Sequence, residues 1–125
     1  RDTGKAEIAR ACLEGMALSI NDSISSLVED SVNEVKEIKV DGGACANNLL
    51  MQIQANISKK EIIRPKIIET TAYGVALGSL VGLNELKFED INKLWQKDES
   101  FSYQENSYYD QKSQLWNDKV KKFFL

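Results

Sequence analysis

The alternating run EVKEIKV ends at two adjacent glycines, Gly42 and Gly43, and helical spacing takes over within a few residues. In that run Ile38 and Val40 fall on one face and Glu37 and Lys39 on the other, the two-residue period of a strand. From about Ala46 the apolar set Leu49, Leu50, Ile53 and Ile57 follows the period of a helix. A second strand, KEIIRP, comes next and is closed by Pro65. Strand, turn, helix and strand in close succession point to an α/β layer fold, with helices covering a sheet.

The flanking segments extend this pattern. Thr3 reads as the N-cap of a long amphipathic helix over roughly residues 4 to 30, with Ile8, Cys12, Met16, Ile20 and Leu27 on one side. The stretch TTAYGVALGSLVGL opens with hydroxyl residues fit for a cap and continues as a helix rich in Ala and Gly. Its Gly74 and Gly78, four apart, are expected to let a neighbouring element approach closely, since the apolar run is too short to span a membrane. NELKFEDINKLW predicts a short helix. From about Ser107, Tyr109, Trp116, Val120 and Phe123 share one face of a tail helix. The predicted order is helix, strand, helix, strand, helix, then a helical tail from about residue 84. Two strands cannot make a stable core and leave an edge open, so these residues read as part of a larger domain or as a unit that pairs with another copy.

Composition narrows the chemistry. At 125 residues the sequence is one domain or a piece of one. Sixteen basic against nineteen acidic residues give a net charge of -3, with no basic run, so nucleic acid is not an expected partner. Histidine is absent, which removes the usual general base and the commonest metal ligand. Any chemistry therefore rests on carboxylates, amides and backbone. Cys12 and Cys45 lack the spacing of a disulfide framework or zinc site and read as reduced thiols. No apolar stretch approaches the roughly 20 residues of a membrane span, and the N-terminus lacks a signal-peptide layout. A cytoplasmic location, with no membrane partner, is expected.

A glycine after a strand adopts backbone angles closed to other residues and lets a ligand or neighbouring chain approach the main chain. The next helix begins within a few residues, so its unpaired amides and positive dipole end face whatever occupies the turn. Asn47 offers a donor and an acceptor, as an adenine edge or a ribose hydroxyl requires. Taken alone, strand-Gly-Gly-helix also arises wherever a chain merely turns sharply. It is neither a P-loop nor a dinucleotide G-x-G-x-x-G.

The stretch VDGGACANNLLMQIQANI closely resembles the adenosine motif of the glycerol kinases, in the FGGY family of sugar kinases. EIARACLEGMA resembles the second half of that family's C-terminal signature, and RPKIIETTAYGVALGS the segment after the motif. The resemblance covers about residues 1 to 83, and the tail only loosely. It implies an actin-like, ribonuclease H-like ATPase domain, of which residues 1 to 125 form the C-terminal, nucleotide-binding part.

Carried over position by position, the resemblance makes Gly43 the backbone contact to the nucleotide and Asn47 the side chain meeting its adenosine portion. Gly42 shapes the turn and Asp41 braces the loop. The resemblance also implies ATP with Mg2+, and glycerol as the phosphoryl acceptor. Another polyol or a pentose, or a scaffold without catalysis, stands as the alternative. Cys12 departs mildly from the family signature. The phosphate-binding segments, the catalytic aspartate, the magnesium ligands and the residues that grip glycerol are not among these residues, so the piece alone is expected to be inactive. A truncated sheet with exposed apolar faces is expected to self-associate.

Overall fold

The computed structural model describes residues 3–30 and 34–124. Helix α1 (Lys5–Glu29) is followed by strand β1 (Glu37–Lys39), a 3-10 turn (Gly43–Ala46), α2 (Asn48–Ser58), β2 (Glu61–Pro65) and α3 (Thr70–Gly82). A second 3-10 turn (Phe88–Asp90) leads into the one-turn helix α4 (Ile91–Leu94), then β3 (Lys97–Phe101) and α5 (Ser107–Phe124). The sheet order is β1-β2-β3. β1 and β2 run parallel, with Ile38 opposite Ile62, as the connecting helix α2 requires. β2 and β3 run antiparallel, with Ile62 opposite Phe101 and Arg64 opposite Glu99. The ladder slips between Arg64 and Pro65, where proline has no N–H to donate.

β3 corrects the two-strand reading. Lys97, Asp98 and Glu99 are all exposed and only Phe101 of this strand is buried, so the segment carries no apolar alternation. Charged residues of this kind are what an edge strand tolerates.

Helix α2 lies at the centre, packed against α1, α5 and the sheet. It therefore buries residues around much of its circumference, from Leu50 and Met51 to Ile57, including Gln54 and Asn56. The Asn56 oxygen is satisfied: Oδ1 accepts from the Gln104 amide at 2.9 Å and from Gln52 Nε2 at 3.1 Å. Cys45, Ile62, Phe101 and Tyr109 complete this core with Ala17 and Leu18 of α1.

Three expectations about faces and caps change. The α1 helix is capped at Gly4, whose N–H donates to the Glu7 carboxylate at 2.8 Å, and not at Thr3. Its buried side carries Glu14, Ala17 and Leu18, whereas Ile8, Met16, Ile20 and Leu27 are exposed. The small Ala17 admits α2, and Glu14 is buried because α5 brings it partners; apolar periodicity registers neither effect. Along α3 only Leu77 is buried, and a Cβ built at Gly74 or Gly78 would meet nothing within 4 Å. Among the described residues those glycines therefore serve no close approach. The tail follows its predicted face at Tyr109, Trp116 and Val120, while Phe123 is exposed. No described helix is long and apolar enough to cross a membrane.

Candidate nucleotide-binding turn

The carboxyl ends of the two parallel strands carry the glycine turn. Val40 N–H donates to the Ile63 carbonyl at 3.0 Å, the last bond joining the two strands here, and Gly42 N–H donates to the Ile68 carbonyl at 2.8 Å. Between these bonds the chain reverses at Gly42, with φ 80° and ψ 165°. That combination is essentially restricted to glycine. Gly43 differs. It begins the 3-10 turn without a positive φ, and a Cβ placed on it would meet only Glu69 Oε1, at an ordinary 3.9 Å. Neither backbone conformation nor packing demands glycine at position 43.

The turn is closed by Cys45 N–H to Gly42 C=O at 3.1 Å and Asn47 N–H to Ala44 C=O at 3.2 Å. Asn47 then caps α2, its Oδ1 accepting from the Leu50 amide at 3.1 Å. Asparagine is among the strongest N-cap residues for this reason. The cap engages one lone pair of that oxygen, and the exposed side chain leaves its Nδ2 donor and the second lone pair for a ligand.

Asp41 accepts from the Thr70 hydroxyl, which ties the turn to the start of α3. Thr70 thus does not cap its own helix, and Glu69, the N-cap residue by position, makes no side-chain cap bond. The Glu69 carboxylate lies instead beside Gly43. Below the turn the Cys45 thiol is buried, which pushes its pKa up, as do Asp41 and Glu69, against the opposing effect of Arg64.

Arg64 is the residue that sequence reasoning missed. Its guanidinium donates to the Cys45 carbonyl at 3.1 Å and to Asn48 Oδ1 at 2.7 Å, directly beneath the turn. A charge set between the apolar pair Ile62–Ile63 and Pro65 was the available signal. A cavity of about 260 Å³ is lined by Pro65, Thr70, Tyr73, Leu94 and Trp95; Thr70 bonds Asp41, but Gly42, Gly43 and Asn47 do not line the cavity. No group of three or more Cys, Asp or Glu able to hold a metal ion occurs among the described residues.

Residues 1–83 match the FGGY family of carbohydrate kinases, C-terminal domain. The chain belongs to the FGGY family. This FGGY chain is 46% identical over 104 residues to the glycerol kinase of Dichelobacter nodosus, covering 82% of its own length and 21% of the relative's. It is 47% identical over 104 residues to glycerol kinase 1 of Saccharolobus solfataricus, covering 81% of its own length and 20% of the relative's. It thus spans about a fifth of the length of these curated relatives. Among solved structures, the Plasmodium falciparum glycerol kinase with ADP superposes with a TM-score of 0.77 at 25% identity, over 99% of this chain and 25% of that one. A xylulose kinase from Lactobacillus acidophilus, at 21% identity and a TM-score of 0.77 over 94% of this chain and 24% of that one, shares the fold. The small sheet and its covering helices are therefore part of the actin-like, ribonuclease H-like ATPase fold of these FGGY kinases.

Proposed function

We propose that this chain forms the adenosine-binding wall of an ATP-dependent glycerol kinase. Gly42 sets the turn, Gly43 offers its bare main chain to the nucleoside, and Asn47 donates from Nδ2 to its adenosine portion. The carrying observation is Gly43, where neither backbone angle nor packing calls for glycine and a side chain would meet only Glu69 Oε1, at an ordinary 3.9 Å. An approaching ligand supplies the missing reason. The onset of α2 adds the positive end of a helix dipole beside it.

In the whole enzyme the γ-phosphoryl group of Mg2+-bound ATP passes to a glycerol hydroxyl and ADP leaves, with catalysis coming from positioning and charge stabilisation. This chain's share is to hold the nucleoside; the phosphate loops, general base, magnesium ligands and polyol site lie in other segments. Similarity to glycerol kinases at 46–47% identity supports glycerol as the acceptor. The same reading places the protein in the cytoplasm. It also has the isolated 125-residue chain self-associate through its open β1 edge and exposed α1 and α3 faces.

Two substitutions separate binding from folding. Asn47→Asp keeps the cap, since aspartate caps as well as asparagine, but removes the Nδ2 donor. Gly43→Ala adds a methyl that meets Glu69 Oε1 at an ordinary contact distance and leaves stability within about 0.5 kcal/mol. Calorimetric titration of ADP into the intact protein should show both variants binding at least about tenfold more weakly than the parent, with melting temperatures unchanged. Parent-like ADP affinity in both variants would remove the basis for the assignment.

A further inference from the structure

The Arg64 side chain is 11% exposed, and all three of its nitrogens are engaged. Nε donates to Asp98 Oδ2 at 2.9 Å and Nη2 to Glu99 Oε2 at 2.7 Å, both on β3. Nη1 donates to the Cys45 carbonyl and to Asn48 Oδ1 at 3.1 and 2.7 Å. The guanidinium carbon also stands 5.5 Å from the centre of the Phe101 ring. One planar cation on the central strand therefore joins the edge strand to the residues that bracket Asn47.

We propose that Arg64 is a positioning residue for the nucleotide seat and that β3, through Asp98 and Glu99, belongs to the seat's support. The proposal rests on the reading of the glycine turn as that seat. A cross-strand link between β2 and β3 needs only the two carboxylates. The Nη1 bonds have a different consequence, because they fix the carbonyl two residues before Asn47 and the side chain one residue after it. The turn they support is otherwise closed by 3-10 bonds, whose geometry is poorer than that of an α-helix. The fork of the guanidinium orients Nη1 only while Nε and Nη2 are held, so the carboxylates on β3 set the direction of a bond they do not make. A lysine in its place reaches one partner at a time.

The test uses the intact kinase with Arg64→Gln, Arg64→Lys, the pair Asp98→Asn with Glu99→Gln, and Asn47→Asp and Gly43→Ala in parallel. Arg64→Gln should raise KM for ATP and Kd for ADP about tenfold while kcat and KM for glycerol stay within about twofold. The β3 pair should move the same nucleotide parameters in the same direction by a smaller factor, and Arg64→Lys should fall between parent and Arg64→Gln. A proportional loss of every kinetic parameter, or an unchanged ADP affinity in folded Arg64→Lys and β3 variants, overturns the proposal. Weakened ADP binding in Asn47→Asp alone defeats only the role of Arg64. Parent-like binding in both Asn47→Asp and Gly43→Ala defeats the seat itself and the inference with it.

Discussion

Tyr108 donates its hydroxyl to both oxygens of the Glu14 carboxylate, at 3.0 and 3.1 Å, joining α5 to α1 across 94 positions of sequence. Glu14 also accepts from Arg10 Nε at 2.9 Å and has Lys112 Nζ 3.6 Å away, while its own side chain is only 5% exposed. A carboxylate is tolerated at that depth because cations and a hydroxyl surround it. Arg10 reaches on to the Tyr109 hydroxyl at 2.8 Å, so the cluster holds the tail helix by several bonds.

Truncating this centre should loosen the tail. Glu14→Ala is expected to destabilise by about 2 kcal/mol, and Tyr108→Phe by about 1 kcal/mol, in urea denaturation. The double variant should lose less than the sum, since both changes remove the same bond. Strict additivity would show that the two side chains are not coupled.

The same interface sets a response to alkali. Lys59 has its pKa raised, chiefly by its hydrogen bond to Asp110, and Lys112 chiefly by Tyr108, with Glu14 adding. Burial pushes the Tyr109 phenol up, against Arg10. In all three cases the folded chain holds the proton more tightly than the unfolded chain. Stability from these groups is therefore complete below their unfolded pKa values and declines as pH rises through the folded ones. Unfolding free energy should fall as pH climbs above about 10. A flat profile from about pH 9 to 11, from urea unfolding followed by far-ultraviolet circular dichroism, would contradict this.

Gln54 is buried, and neither its amide nitrogen nor its side-chain oxygen has a hydrogen-bond partner among the described residues. Replacement by an apolar side chain of similar length removes that desolvation cost. Gln54→Met should raise stability by about 1–2 kcal/mol in thermal or urea unfolding, and a clear loss would reveal a partner for the amide.

At Gly42 the cost of a side chain is conformational, since a Cβ there meets nothing within 4 Å. Gly42→Ala is expected to destabilise by about 1–3 kcal/mol through its φ of 80°. Gly43→Ala serves as the neutral neighbour; equal losses at the two positions would refute the distinction between them.

The thiols should differ in reactivity. Cys12 is exposed, whereas Cys45 is buried with its pKa pushed up, so its thiolate is scarce. Ellman's reagent should titrate one thiol in the native protein and two after denaturation, with Cys12→Ser removing the native signal. Rapid modification of both thiols in the folded chain would contradict the burial of Cys45.

Strands β1 and β2 and the helices were legible because their apolar residues recur at the right period. The half-buried Ile38 and Val40 alternate with exposed Glu37 and Lys39, as the sequence reading has it. β3 was not legible, because it is held by the charged contacts of Asp98 and Glu99 with Arg64 and buries only Phe101. The packed side of α1 was misread for a related cause: Glu14 is polar in sequence and core-like only beside Tyr108 and Arg10.

Local spacing by itself determined the α/β order and the turn at Gly42 and Gly43, and the quoted stretches carried the family resemblance, since periodicity, backbone freedom and motif are properties of neighbouring residues. Only the tertiary structure decided which helix face is buried and that Arg64 binds the edge strand to the turn. Those outcomes depend on which polar groups find partners once water is excluded, and most of the partners lie far apart along the chain.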